Sequence, residues 1–303
     1  MEKALLSVVG PTAMGKTKLA ISLAQKFRTE IISADSRQFF REMKIGTAVP
    51  SAEELNTVKH HFIHCKSIHE NYSVGSFERE ATTLLTRLFK KNDVVVMVGG
   101  SGLYIDAVTK GLDEFPEIDP KIREELNLEF EAKGIEYLKE ELKRRDPSYY
   151  EKVDLDNPHR LIRALEVCLG SGRPYSSFLK IENVQRPYRT ITIGIQADRE
   201  IIYDRINKRV DLMMQLGLVE EAKSLYHNKS LNALQTVGYK ELFNFLDGSG
   251  NLDFAVSEIK KNTRRFAKRQ LTWFRKDEKI TWVEYDDSFD KTLQLIHEQL
   301  MIP

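Results

Sequence analysis

Cysteine is scarce in this chain of 303 residues: Cys65 and Cys168 are the only two, and they lie far apart. That excludes a disulfide framework and fits a reducing, cytoplasmic setting. No stretch approaches the roughly 20 apolar residues of a membrane span, so no membrane partner is expected. An excess of one charge is missing too, with 46 Lys and Arg against 45 Asp and Glu and a net charge of +1. The balance excludes a histone-like tail, although a local basic face can sit inside a neutral total. Low-complexity tracts and internal repeats are absent. Lys3 and the apolar run Ala4–Val9 are too short for a signal peptide and lead straight into a glycine-rich loop, so the run reads as a strand.

That loop is Gly10-Pro11-Thr12-Ala13-Met14-Gly15-Lys16-Thr17, which fits the P-loop pattern G-x-x-x-x-G-K-[ST]. In such a loop successive backbone N–H groups point into one concavity and bind phosphate oxygens, and the next helix adds its positive end. Lys16 supplies a point charge, and the Thr17 hydroxyl suits Mg²⁺. Downstream, Leu19, Leu23 and Phe27 recur at helical spacing. Strand, loop and helix follow in the required order, so a diphosphate or triphosphate ligand is expected; ATP is the obvious candidate.

The length suggests one large domain with an insertion, or two domains. Strand and helix alternate over residues 1–115, with further strands at Glu30–Ser36 and Val94–Val98. The pattern predicts an α/β fold: a P-loop NTPase-like parallel sheet with helices on both faces. Residues 116–187 turn helical and charged and read as an insertion. Asp156 or Asn157 can cap one of its helices, with Pro158 in the first turn and Gly170 or Gly172 at its end. The sheet resumes at Arg189–Arg199 within residues 188–303, and Lys279–Asp286 and Phe289–Leu300 read as the last strand and helix.

Ligands in such sheets bind beyond the carboxyl ends of the strands, where Thr12, Asp35 and Ser101 fall. Asp35 is either a cap or a general base facing the cradle, or a holder of Mg²⁺ through water. Many ATP-hydrolysing P-loop proteins carry an Asp at the end of the third strand. Here that position reads Gly99-Gly100-Ser101, which weakens the ATPase reading. Lys260–Lys276 carries eight cations and no acid; Lys261, Arg264, Lys268, Thr272 and Arg275 share one helical face. That face predicts nucleic-acid contact, while Phe266, Trp273 and Phe274 are expected to pack inward. His159, Arg160 and Arg163 form a second basic edge. His60, His61, His64 and Cys65 are too densely spaced for a tetrahedral zinc set, so 60–65 reads as a polar loop.

Together "GPTAMGKT", "SADSRQ", "KIGTAVP", "VGGSGLY", "DNPHRLIRALEV", "TVGYKE" and "AKRQLTWFR" resemble the tRNA dimethylallyltransferase (isopentenyl-tRNA transferase) family, in its order and over nearly the whole chain. The resemblance implies transfer of a dimethylallyl group from dimethylallyl diphosphate to N6 of the adenine immediately 3′ of the anticodon, and an insertion that grips the tRNA anticodon stem-loop. It implies catalytic roles for Thr12, Lys16 and Asp35, diphosphate contacts along Gly10–Thr17 and from Arg209, and Mg²⁺ on Thr17. It implies an RNA path along Asp35, Ser36, Arg37 and Gln38, with Ser101 and Arg123 near the target. His159, Arg160, Leu161, Ile162 and Arg163, then Gln235, Thr236, Val237, Gly238, Tyr239 and Lys240, would continue it. Lys268, Arg269, Gln270, Leu271, Thr272, Trp273, Phe274 and Arg275 would complete it. Ser101 stands where the family often has Thr, which keeps the hydroxyl. A monomer is expected. The competing readings are a P-loop small-molecule kinase, a prenyltransferase acting on free adenine nucleotides, and a nucleotide-gated RNA-binding protein without chemistry.

Overall fold

A computed structural model describes residues 2–179 and 185–301. The chain divides into two compact units, Met1–Lys110 with Gln185–Pro303, and Gly111–Val184. These boundaries fall a few residues before those expected from sequence, and positions 180–184 of the expected insertion lie outside the described residues.

The larger unit is built on six parallel strands: β1 (Ala4–Val9), β2 (Ile31–Ser33), β3 (His60–His61), β4 (Val94–Val98), β5 (Arg189–Gln196) and β6 (Thr281–Glu284). Their order across the sheet is β3-β2-β4-β1-β5-β6. Helices α1 (Lys16–Lys26), α2 (Ala52–Thr57), α3 (Val74–Leu88) and α4 (Gly102–Lys110) connect the first strands. β1 is apolar along its length because both sheet faces are covered. Leu6 and Val8 pack in one cluster with Ala20 and Leu23 of α1. Leu5 and Val9 pack in the other with Phe77 and Leu85 of α3 and Ile105 of α4. The stretch at 60–65, read as a polar loop, instead opens with β3, which pairs Ile31 with His60 and Ile32 with His61. Two residues are too few for strand periodicity to register in sequence.

The second unit holds α5 (Pro120–Arg145), broken at Gly134, with α6 (Pro147–Tyr150) and α7 (Pro158–Ser171). Leu126, Leu138 and Leu142 of α5 pack against Leu161, Ile162 and Leu165 of α7. Asn157, not Asp156, caps α7 by accepting from Arg160 N at 3.3 Å, and left-handed Gly172 ends it. Such a cap contributes about 1 kcal/mol.

The larger unit continues through α8 (Arg199–Gln215), α9 (Leu218–Leu225), α10 (Tyr239–Leu246), α11 (Leu252–Phe274) and α12 (Phe289–Met301). A separate cluster joins Leu218, Leu242 and Ile259 of α9, α10 and α11 to Phe40 and Met43. Because β2, β4 and β1 are neighbours, their carboxyl ends bring Asp35, Gly99–Ser101 and the P-loop side by side.

Candidate active site

The P-loop turns on Gly10 and Gly15 (φ 136° and 84°), and Ala13 also takes a left-handed conformation (φ 68°). For a residue with a Cβ that costs about 1–2 kcal/mol, held here by the surrounding fold. Pro11 and Met14 are buried, so they offer the cradle backbone only. Lys16 Nζ donates to the Pro11 carbonyl at 2.7 Å. Arg209 of α8 donates to Thr12 Oγ1 at 3.1 Å, and Arg205, one turn earlier, donates to the Ala13 carbonyl at 2.8 Å. Arg205 is absent from the residues expected from sequence; its signal was its four-residue spacing from Arg209.

Burial lowers the Lys16 pKa to about 7, with the Arg209 guanidinium adding to the shift and Asp35 opposing it. A bound anion favours protonated Lys16, so binding raises this pKa and takes up a proton. Affinity therefore holds below pH 7 and declines above it, by up to about tenfold per pH unit for one linked proton. Calorimetry with pyrophosphate at pH 6.5 and 8.5, in buffers of different ionisation enthalpy, is expected to show this uptake, and Lys16→Met to abolish it. Equal proton uptake by both proteins would rule out Lys16 as its source.

Two cavities adjoin the cradle. One of about 430 Å³ is lined by the P-loop from Thr12 to Thr17 and by Ser33, His60, Ile63 and Arg205. The other, about 800 Å³, is lined by Ser36, Ser101, Lys240, Phe266, Arg269 and Trp273 among others. Thr12, Asp35, Thr47, Ala48 and Arg209 line both. Asp35 Oδ1 accepts from Arg37 N at 3.1 Å, and its other oxygen bonds to no described residue. Ser101 Oγ accepts from Ser36 N at 3.1 Å, fixing the end of β4 against the Asp35 turn. Thr17, in the first turn of α1, lines the smaller cavity, and its hydroxyl likewise bonds to no described residue. Among the described residues no group of three or more His, Cys, Asp or Glu could hold a metal ion. A cation here would take the Thr17 hydroxyl, ligand phosphate oxygens and water, a donor set that suits Mg²⁺.

The expected RNA-path residues separate into two groups. Gln235, Thr236, Val237, Gly238 and Lys240 line the larger cavity. Arg37, however, donates to the carbonyls of Asn232 and Ala233, both at 3.0 Å. Gln38 donates to those of Thr47 and Ala48 and accepts from Ser33 Oγ. Tyr239 is fully buried, and its hydroxyl donates to Glu221 at 2.6 Å. Gln270, 6% exposed, accepts from Thr12 N at 3.0 Å and donates to the Gly100 carbonyl at 2.9 Å. A Cβ at Gly100 would lie 2.2 Å from the Gln270 amide nitrogen. Phe274 is buried and Leu271 packs against the core. In the second unit Leu161 and Ile162 are core. Arg37, Gln38 and Gln270 make these bonds while lining the cavities, whereas Tyr239, Phe274, Leu271, Leu161 and Ile162 lie in or against the cores of their units.

His159 and Arg160 are exposed. Arg123 and Arg163 both pair with Glu166, at 2.9 and 3.4 Å, and Arg163 lies over the Phe115 ring. On α11 the basic face is only partly free. Lys260 pairs with Asp211, Lys261 with Glu258, and Arg264 donates to Asn207. Arg265, Lys268, Arg269, Arg275 and Lys276 are exposed and pair with no acid among the described residues. The expectation that the aromatics pack inward holds for Phe274 alone. Phe266 and Trp273 are 39% and 38% exposed beside the larger cavity, with Trp273 Nε1 donating to Asp106 at 2.9 Å.

A P-loop cradle, a carboxylate across from it and a second cavity opening at the same carboxylate define a P-loop α/β enzyme of the transferase class. The model of a family described as IPP transferase matches residues 38–277. The chain is 58% identical to a tRNA dimethylallyltransferase of Flavobacterium johnsoniae over 304 residues, 98% of each chain. It is 59% identical to one of Christiangramia forsetii over 300 residues, 99% of each. Among solved structures, the tRNA isopentenylpyrophosphate transferase of Bacillus halodurans is 39% identical with a TM-score of 0.72, covering 99% of this chain and 96% of that one. A eukaryotic dimethylallyltransferase acting on tRNA, 22% identical with a TM-score of 0.82 over 98% of this chain and 79% of its own, shares the fold. The chain belongs to the IPP transferase family, whose curated relatives are tRNA dimethylallyltransferases. No helix among the described residues is long and apolar enough to cross a membrane.

Proposed function

We propose that this enzyme transfers the dimethylallyl group of dimethylallyl diphosphate to N6 of the adenine at position 37 of tRNA, immediately 3′ of the anticodon, releasing diphosphate. It works as a cytoplasmic monomer. The observation that carries the reading is the meeting of two cavities at Thr12, Asp35 and Arg209. One cavity takes the diphosphate, the other the RNA, and the reacting atoms meet between them.

An allylic diphosphate ionises when charge on its departing group is stabilised. The P-loop amides, Thr12 and Arg209 surround that group, and Lys16 exchanges the Pro11 carbonyl for its oxygens. Mg²⁺ on Thr17 would neutralise further charge on the diphosphate. The adenine amine is a weak nucleophile because its lone pair is delocalised into the ring. Asp35 accepts its hydrogen bond and takes its proton as the C–N bond forms. The base reaches Asp35 only once unstacked from the anticodon loop. The exposed rings of Phe266 and Trp273 offer stacking surface beside that route. No water needs positioning, which suits the glycines at the end of β4.

Incubation with radiolabelled dimethylallyl diphosphate and unmodified tRNA, followed by nucleoside analysis, tests the reading. Label is expected in one modified adenosine, and label-free RNA beside brisk ATP turnover would replace the reading with a kinase. The RNA path has its own test. Lys268→Ala is expected to reduce the slope of log affinity for tRNA against log salt by about one. Arg163→Ala is expected to change it less, because Glu166 already offsets that charge. Unaltered slopes in both variants would remove these residues from the path.

A further inference from the structure

The two cavities share a stretch of wall that carries no charge, Thr47 and Ala48. The other shared residues are the polar Thr12, Asp35 and Arg209, which attend the departing diphosphate and the incoming amine. The hydrocarbon of the donor lies between those two partners, so Thr47 and Ala48 form the side of the passage against it.

This wall is held in place from outside the site. One carboxylate, Glu221 of α9, accepts from the backbone N–H groups of Lys44, Ile45 and Gly46, at 3.1, 2.9 and 2.9 Å. The Tyr239 hydroxyl, at the start of α10, donates to the same carboxylate at 2.6 Å. Burial and the Glu221 charge push that hydroxyl far above the usual tyrosine pKa, so it stays a donor. The Tyr239 ring presses on the turn so closely that a Cβ at Gly46 would lie 2.5 Å from it. The turn then closes on itself, with Ala48 N donating to the Ile45 carbonyl at 3.0 Å and Val49 N to the Lys44 carbonyl at 3.3 Å. Ala48 is left in a left-handed conformation, φ 48°, at the rim of both cavities. A non-glycine residue keeps that conformation only where its surroundings impose it. Gln38 ties the far end of the turn to the segment bearing Asp35 through the Thr47 and Ala48 carbonyls, at 3.2 and 3.1 Å.

We propose that Glu221 and Tyr239 set the length of prenyl chain the enzyme accepts, by holding the Lys44–Ala48 turn as a fixed wall at the passage between the two cavities. The inference rests on the prenyl-transfer reading above. Neither residue touches the reacting atoms; both act through the turn, as positioning residues. On this proposal the wall accepts a five-carbon chain as it stands, and a ten-carbon chain is accepted only when the wall yields. Transfer from geranyl diphosphate involves the same bonds as transfer from dimethylallyl diphosphate. The C1–O bond breaks with its electron pair leaving on diphosphate, the C1–N6 bond forms, and the amine proton passes to Asp35.

Two substitutions test the idea from opposite sides. Glu221→Gln keeps the side chain's size but turns an NH₂ toward backbone N–H groups, releasing the turn. Ala48→Gly removes the methyl at the rim and suits the left-handed conformation, so it is expected to fold at least as well as the parent. The measurement is kcat/KM for tRNA modification with geranyl diphosphate divided by that with dimethylallyl diphosphate, with adducts identified by mass spectrometry. Each variant is expected to raise this ratio about tenfold, whatever it does to overall turnover. General damage to the site lowers both terms and does not move the ratio. If neither variant raises it threefold, the proposal is overturned; Ala48→Gly decides alone should Glu221→Gln fail to fold. The parent enzyme with dimethylallyl diphosphate is the control, and its failure to modify tRNA would strike the prenyl-transfer reading itself.

Discussion

Asp35→Ala is expected to lower turnover by roughly 10²–10⁴, the usual contribution of a positioned general base, while tRNA and dimethylallyl diphosphate bind nearly as before. The carboxylate sits at the mouth of both cavities, with one oxygen fixed by the Arg37 amide and the other bonded to no described residue. That second oxygen is the one available to the amine. Arg37, Gln38 and Ser36 each have anchors besides Asp35, so removing the carboxylate leaves the local turn supported. Single-turnover measurement with prebound tRNA separates chemistry from binding. Near-parental single-turnover rates would remove the base assignment.

The second large effect belongs to Lys16. Lys16→Ala is expected to reduce kcat by about 10²–10³, the loss seen when one preorganised donor to a developing charge is removed. It also weakens diphosphate binding, since the same ammonium meets the ground-state anion. The site uses a point charge: Nζ lies 2.7 Å from the Pro11 carbonyl, close enough to Arg209 for that guanidinium to lower its pKa, and a planar guanidinium at 16 would present its donors in a different geometry. Lys16→Arg is therefore expected to recover little. Substantial rescue by arginine would mean that positive charge, and not its placement, is what the cradle uses.

The parts of this site that follow chain order were legible in the sequence. The P-loop is contiguous, and Asp35 and Ser101 follow apolar runs that could only be buried strands, so the shared end of the sheet followed. What needed the fold was which side chains turn inward. Ala267, Gln270 and Phe274 form the buried stripe of α11 at three- and four-residue spacing, a pattern that marks Gln270 as internal despite its basic neighbours. Leu161, Ile162 and Leu165 do the same on α7. Motif resemblance groups residues by sequence and cannot divide them by face. Asp211 was invisible as the partner of Lys260 because α8 and α11 are distant in sequence. Glu221, in the run Val219-Glu220-Glu221-Ala222, looks like any solvated helical acid, and only the packing of α9 brings it to the Lys44–Gly46 amides.

Gln270 and Gly100 have a joint consequence for descent. The glutamine amide occupies the volume that any side chain at 100 would claim, and the same amide steadies the Thr12 nitrogen. A lineage that placed even a methyl at 100 would have to shorten its partner on α11 and leave the first turn of the P-loop untethered. The two positions are thus expected to be inherited as a pair, and to change, where they change at all, together.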